Sequence, residues 1–241
     1  MPDEMDIVRA GAEGATKGAI DSISEPFKAL VAEFCAEIGE GFGYYGRYFR
    51  QKMGLRVMQK TKKLLQDAGI SPSSVSPKLF FSILESASLE DNEQLQGLWA
   101  ALLANAANPS ERNKVHPAFV GILKDLTPGE ADLLNNIYYH VREQVMMAGM
   151  PLHSSSAQYI DLTEPMEANG TLHFLDASEL QPIIDRLKGV GLLKKDDSAI
   201  LINNERVGPE ANFNMTAFGF EFITACRPPS SIRSESGPEK S

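Results

Sequence analysis

The feature that most constrains this chain is a row of apolar residues, Leu95, Leu98, Trp99, Leu102 and Leu103, spaced as one face of an α-helix. The spacing recurs in both directions. Upstream, Phe27, Leu30, Val31, Phe34, Cys35 and Ile38 form one stripe; downstream, Leu133, Leu134, Ile137, Tyr138 and Val141 form another. Stripes of this kind, separated by glycine and proline, are hidden by packing helix on helix.

Local signals set the expected boundaries. An amphipathic stretch opens the chain to about Ile23, and Ser24 is placed to cap a helix with Glu25 and Pro26 in its first turn. A third helix is predicted from about Tyr44 to Ala68, stopped by Gly69. Ser71–Ser76 reads as a loop, and Ser76-Pro77 starts the next helix. Ser88, with Asp91 three residues on, reads as the capping box of the Trp99 helix. Asn108-Pro109 ends that helix, His116-Pro117 opens a short one, and Thr127-Pro128-Gly129-Glu130 has the order of a strong helix start.

The remainder mixes elements. Strand-like pieces are expected around Gln158–Leu162 and Thr171–Phe174. A helix over Ser178–Val190 places Pro182 within its first turn if Ser178 is the cap. Gly191 breaks it; short strands follow at Leu192–Lys195, Ala199–Ile202 and Phe213–Thr216, then a closing helix, Ala217–Cys226. The Ser-, Pro- and charge-rich tail after Pro228 is expected to be disordered. Four regions result: 1–70 with a basic helix, 71–126 as a central helical block, 127–227 as a mixed module, and 228–241 as the tail.

Composition excludes some classes. The net charge of −9 argues against a surface built throughout to hold nucleic acid. Two cysteines, Cys35 and Cys226, far apart, fit buried free thiols in a reducing cytosol, not a disulfide framework or a thiolate zinc site. The start, Met1–Asp6, is acidic and no apolar stretch follows, so no secretory signal is expected; with no long apolar run, a cytoplasmic protein is.

Candidate sites are few. Arg47, Arg50, Lys52, Arg56, Lys60, Lys62 and Lys63 lie in a window free of acidic residues, with Tyr44, Tyr45, Tyr48 and Phe49 at its start. Such a helix can meet the phosphates of nucleic acid or an anionic membrane. The reading favoured from the sequence is instead a solvated face whose apolar side, Phe49, Met53, Val57 and Leu64, packs inward, with acidic neighbours on other helices complementing its charge. The acidic cluster Glu85, Glu90, Asp91 and Glu93 is not read as a metal site, because Glu90, Asp91 and Glu93 fall in about the first turn of a helix capped by Ser88, where negative charge is favoured. Trp99, the single tryptophan, is read as a core anchor. His116, His140, His153 and His173 are scattered, no nucleophile-elbow motif occurs, and the glycines before Tyr44 lack the order of a phosphate-binding loop. No catalytic, cofactor or metal residue is assigned, and no enzyme activity is expected.

Two stretches resemble known families. The run Leu84 to Asn105, with its Ala87-Ser88-Leu89-Glu90-Asp91 and Leu95-Gln96-Gly97-Leu98-Trp99-Ala100 segments, resembles the bacterial abortive-infection alpha family. His116-Pro117 and Leu126-Thr127-Pro128-Gly129-Glu130-Ala131 fit its layout, as does the basic helix Arg47–Leu65, and the resemblance covers roughly residues 20–226. It implies defence against phage and carries over no catalytic residues. Leu187-Lys188-Gly189-Val190-Gly191-Leu192-Leu193, then Met215-Thr216-Ala217-Phe218-Gly219-Phe220-Glu221-Phe222, is similar to the closing half of winged-helix domains, with Met215 in place of the usual Leu.

The expected fold is therefore mainly α: an N-terminal helical bundle followed by a winged-helix-like α+β module with a small antiparallel sheet. The expected function is non-enzymatic phage defence through binding, with a protein partner or self-association as the contact. Nucleic acid or an anionic membrane, met by the basic helix, are the alternative partners, and a winged-helix regulator or membrane-surface effector the alternative functions. The helix Ser178–Val190 is close to neutral on its polar side (Glu179, Gln181, Asp185, Arg186, Lys188), which favours a scaffold over a reader of DNA.

Overall fold

The computed structural model describes residues 25–37, 44–111, 115–147, 177–195, 201–202, 205–206 and 213–229. Eight helices lie among them, with two short antiparallel ladders, so the described part of the chain is mainly helical. It forms two compact units: 1–125 with 225–241, and 126–224. None of the described helices is long and apolar enough to cross a membrane.

The first unit is built from α1 (Glu25–Glu37), α2 (Tyr44–Asp67), α3 (Pro77–Ala87), α4 (Glu93–Ala107) and α5 (Ala118–Lys124). Helix α3 touches all the others, and α2 lies along α4 in the most extensive pairing. Of the stripe expected for α1, Phe27, Val31 and Phe34 are buried and Leu30 is half-buried, while the side chains of Cys35 and Ile38 lie outside the described residues; Phe27 stacks on Phe80 with ring centroids 5.8 Å apart. Gly54 of α2 permits a close crossing, because a β-carbon there would stand 3.1 Å from the Phe34 ring and 3.7 Å from Leu84. Helix α4 is buried nearly all round, from Trp99 through Ala100, Ala101, Leu102, Leu103 and Ala104 to Ala107, as expected of the helix at the centre of a bundle.

The ends of these helices follow local chemistry. Ser76 caps α3 by accepting from Leu79 N, with Pro77 in the first turn. Helix α2 ends at Gly69, at φ 67°; Ile70 N donates to Leu65 O and Gly69 N to Gln66 O, so two otherwise orphaned carbonyls are satisfied. Ser73 closes α4, its N–H and hydroxyl both donating to Ala107 O. One expected cap moves. Helix α4 is capped by Asn92, whose side-chain oxygen accepts from Gln94 N and Leu95 N, whereas Ser88 terminates α3.

The second unit contains α6 (Pro128–Met147), α7 (Ala177–Gly189), β1 (Leu193–Lys195), β2 (Leu201–Ile202), β3 (Glu205–Arg206), β4 (Phe213–Met215) and most of α8 (Ala217–Ala225). β1 pairs with β4, Leu193 opposite Met215, and β2 with β3. At the start of α6 the capping box forms: Thr127 N donates to Glu130 Oε2 at 2.7 Å and Glu130 N to Thr127 Oγ1 at 3.3 Å. Helix α7 begins at Ala177, before Ser178, so Pro182 lies inside it rather than in a first turn capped by Ser178. Lacking an N–H, Pro182 leaves one carbonyl of the preceding turn without its helical donor.

Gly191, at φ 80°, ends α7 in the same way as Gly69 ends α2, with Leu192 N donating to Leu187 O. Thr216 then joins both sides of the β1–β4 ladder. Its hydroxyl lies 2.6 Å from Gly191 O and accepts from Gly219 N at 2.8 Å, capping α8. Behind it Phe222, Ile223, Ile184 and Leu187 are buried, and Phe220 stacks on Tyr138. The opening stretch to Ile23, the pieces Gln158–Leu162 and Thr171–Phe174, and the tail from residue 230 lie outside the described residues.

Candidate functional site

The basic helix α2 turns one face into the first unit and the other outward. Met53, Gly54, Val57, Met58, Thr61 and Leu65 form the buried face. Thr61 is tolerated there because its hydroxyl lies 2.9 Å from Val57 O and 3.2 Å from Ala100 O. This face differs from the expected one. Met53 and Val57 face in, but Phe49 is 40% exposed and Leu64 only half-buried, with Leu65 taking the core position. The outward line is Phe49, Lys52, Arg56, Gln59 and Lys63.

The cations of α2 have separate fates. Arg50 is buried: its Nε donates to Ser88 Oγ at 3.0 Å and its guanidinium reaches Glu85 O at 3.5 Å. The Ser88 hydroxyl in turn donates to Glu85 O at 2.7 Å. Arg50 thus brings positive charge to the C-terminal end of α3, which carries no basic residue in its own last turn, and the helix dipole favours it there. Lys60 donates to Glu93 O at 3.1 Å and stands 3.6 Å from its carboxylate. Lys52 is exposed and Lys62 half-buried. Arg56 and Lys63 are exposed, and among the described residues neither forms an ion pair. Arg47 belongs to α2, but its side chain lies outside the described part, as do those of Tyr44, Tyr45 and Tyr48.

At about 1.5 Å of rise per residue, Lys52 and Arg56 are about 6 Å apart along the axis, and Arg56 and Lys63 about 10.5 Å. Chemically this is a short row of positive charge on a rigid helix, suited to anionic groups arranged along a line.

The other candidates resolve individually. Glu90 is no first-turn residue of α4; one of its carboxylate oxygens accepts from Asn92 N at 2.8 Å, and its backbone carbonyl accepts from buried Gln96. Of that acidic run only Glu93 lies in the first turn of α4. Among the described residues no three His, Cys, Asp or Glu side chains gather as a metal ion requires. His116 is exposed and its Nδ1 accepts from Ala118 N at 3.1 Å. The side chains of His140, His153 and His173 lie outside the described residues, and so does that of Cys35. Trp99 is 1% exposed, a core anchor. Cys226 is a buried free thiol, and burial pushes its pKa up, away from reactivity. On α7, Gln181 donates to Asp185 and Lys188 lies 3.6 Å from the same carboxylate, so polar groups of that face satisfy one another.

Three polar side chains escaped sequence reasoning. Asn105 is buried in α4 and its Nδ2 donates to the carbonyls of Ala225 and Arg227, each at 2.8 Å. Gln96 Nε2 donates to Glu90 O at 2.8 Å and approaches Met53 Sδ. Arg186 pairs with the buried carboxylate of Glu130. Burial alone would raise the Glu130 pKa; hydrogen bonds from Arg186 and Thr127 outweigh it and hold the carboxyl below its ordinary range. No local pattern announces a partner so distant in sequence.

Fold and surface together define a mainly helical protein whose first unit presents a row of cations on α2. The chain belongs to a family named for abortive infection: the abortive infection alpha model matches residues 52–226, which takes in Lys52, Arg56, Lys60, Lys62 and Lys63. No curated protein and no solved structure matches it.

Proposed function

We propose that this chain is a bacterial phage-defence protein of the abortive-infection type that acts by binding rather than by catalysis, through the outer face of α2. Membership of the abortive infection alpha family over residues 52–226 carries the first part of the reading. The second rests on Arg56 and Lys63, which stand exposed and outside any ion pair among the described residues, in a chain of net charge −9. Fixed local charge of sign opposite to the whole is what a steered contact uses.

The second unit is, on this reading, winged-helix-like and a scaffold. Supporting that are the β1–β4 ladder after α7, the Gly191 stop and the Thr216–Gly219 closure. The mutual pairing of Gln181, Asp185 and Lys188 leaves little on that face to read bases.

Phage challenge of bacteria expressing the chain tests the reading. Protection of the culture at low multiplicity with collapse at high multiplicity is the expected outcome. Unprotected cultures across a broad phage panel would remove the defence role.

A further inference from the structure

We propose that the outer edge of α2, together with Leu89 in the turn between α3 and α4, docks on an anionic phospholipid surface. The inference rests on α2 as the contact face and names the partner of that face. Phe49, Arg56 and Lys63 follow one another at intervals of seven residues, close to two helical turns, so they share one line about 21 Å long. Lys52 flanks it on the same exposed side. No acidic residue interrupts the helix before Asp67.

Apolar groups mark one end of this line. The large exposed apolar side chains described in the first unit are Phe49, at 40%, and Leu89, at 56%. The segments that carry them are adjacent: the 3.0 Å bond from Arg50 Nε to Ser88 Oγ joins the residue after Phe49 to the residue before Leu89. A row of cations on α2, with an exposed apolar side chain on the helix and another on the adjacent turn, fits a bilayer interface, where phosphates would meet Arg56 and Lys63 while Phe49 and Leu89 enter the acyl boundary. Nucleic acid would use the cations and could stack on Phe49, but offers nothing to an aliphatic Leu89. Since none of the described helices can cross a membrane, the contact they make is peripheral.

The test is co-sedimentation of the full chain with phosphatidylcholine vesicles, with and without phosphatidylserine, beside titration of a mixed-sequence oligonucleotide in the same buffer. Pelleting only with phosphatidylserine, reversed by salt, is expected. Arg56→Glu with Lys63→Glu lowers partition by roughly thirtyfold or more, and Leu89→Ser by about fivefold. Circular dichroism and Trp99 fluorescence verify that each variant is folded. Absence of pelleting, pelleting unchanged by the charge reversal, or tighter capture of the oligonucleotide than of the vesicles overturns the lipid assignment. Phage protection without vesicle binding would overturn this inference alone; vesicle binding without protection would overturn the defence reading and sustain this one.

Discussion

Gly219 lies against the backbone of Leu192 so closely that a β-carbon at 219 would stand 2.2 Å from the Leu192 carbonyl oxygen. The neighbour is main chain already bonded to Thr216 N at 3.0 Å, so it cannot rotate away as a side chain would. Gly219→Ala is expected to destabilise the second unit by about 2–3 kcal/mol. Urea unfolding followed by far-UV circular dichroism measures it; an unchanged midpoint would mean that α8 shifts freely.

Arg50 and its neighbours on α2 separate cleanly in stability. Arg50→Ala removes a buried charge-assisted hydrogen bond to Ser88 and is expected to cost about 1.5–3 kcal/mol. Arg56→Ala and Lys63→Ala, both exposed, should fall within about 0.5 kcal/mol of wild type. Trp99 fluorescence reports the unfolding of the first unit directly, because that residue is the only tryptophan and is buried there. Equal costs at all three positions would contradict the division of roles.

Glu130 makes the second unit sensitive to acid. Its folded pKa lies below the ordinary 4.5, so the ionised form is favoured by folding. That contribution is fully present above pH 4.5 and fades as pH falls through the lower folded value. Glu130→Gln should lower stability at neutral pH and flatten its decline below 4.5. Denaturant midpoints across the acid range give the comparison; parallel curves would remove the Arg186–Glu130 pair as the cause.

Asn105 holds the segment that returns to the first unit after Thr224. Asn105→Ala leaves two buried or half-buried carbonyls without that donor, and local opening should expose Cys226 about tenfold more often. The rate of thiol labelling, measured in a Cys35→Ser background, reads this opening. A rate equal to wild type would show that other contacts hold the segment.

What the sequence made legible were features whose partners lie within a turn or two. The caps at Ser76 and Thr127–Glu130, the stops at Gly69 and Gly191, and the stripe around Trp99 all depend on neighbours a few residues away. Ser88 was misplaced for the opposite reason. Its hydroxyl is taken by Arg50, 38 residues away, and by Glu85 O, while Asn92 stands nearer the true helix start and caps it. The inward face of α2 was misjudged between Leu64 and Leu65, adjacent apolar residues that periodicity alone does not rank. The candidate site was legible as a run of cations but not as a surface. Only packing shows that Arg50 serves α3 and Lys60 meets Glu93, while Arg56 and Lys63 remain outward.

The most direct measurement of the central claim is a phage challenge comparing the wild-type chain with its Arg56→Glu, Lys63→Glu variant at matched expression. Arg50 is left intact in both because it serves the fold. The account predicts protection at low multiplicity by the wild-type chain and none by the folded variant. Equal protection by both would contradict the assignment of function to the outer face of α2.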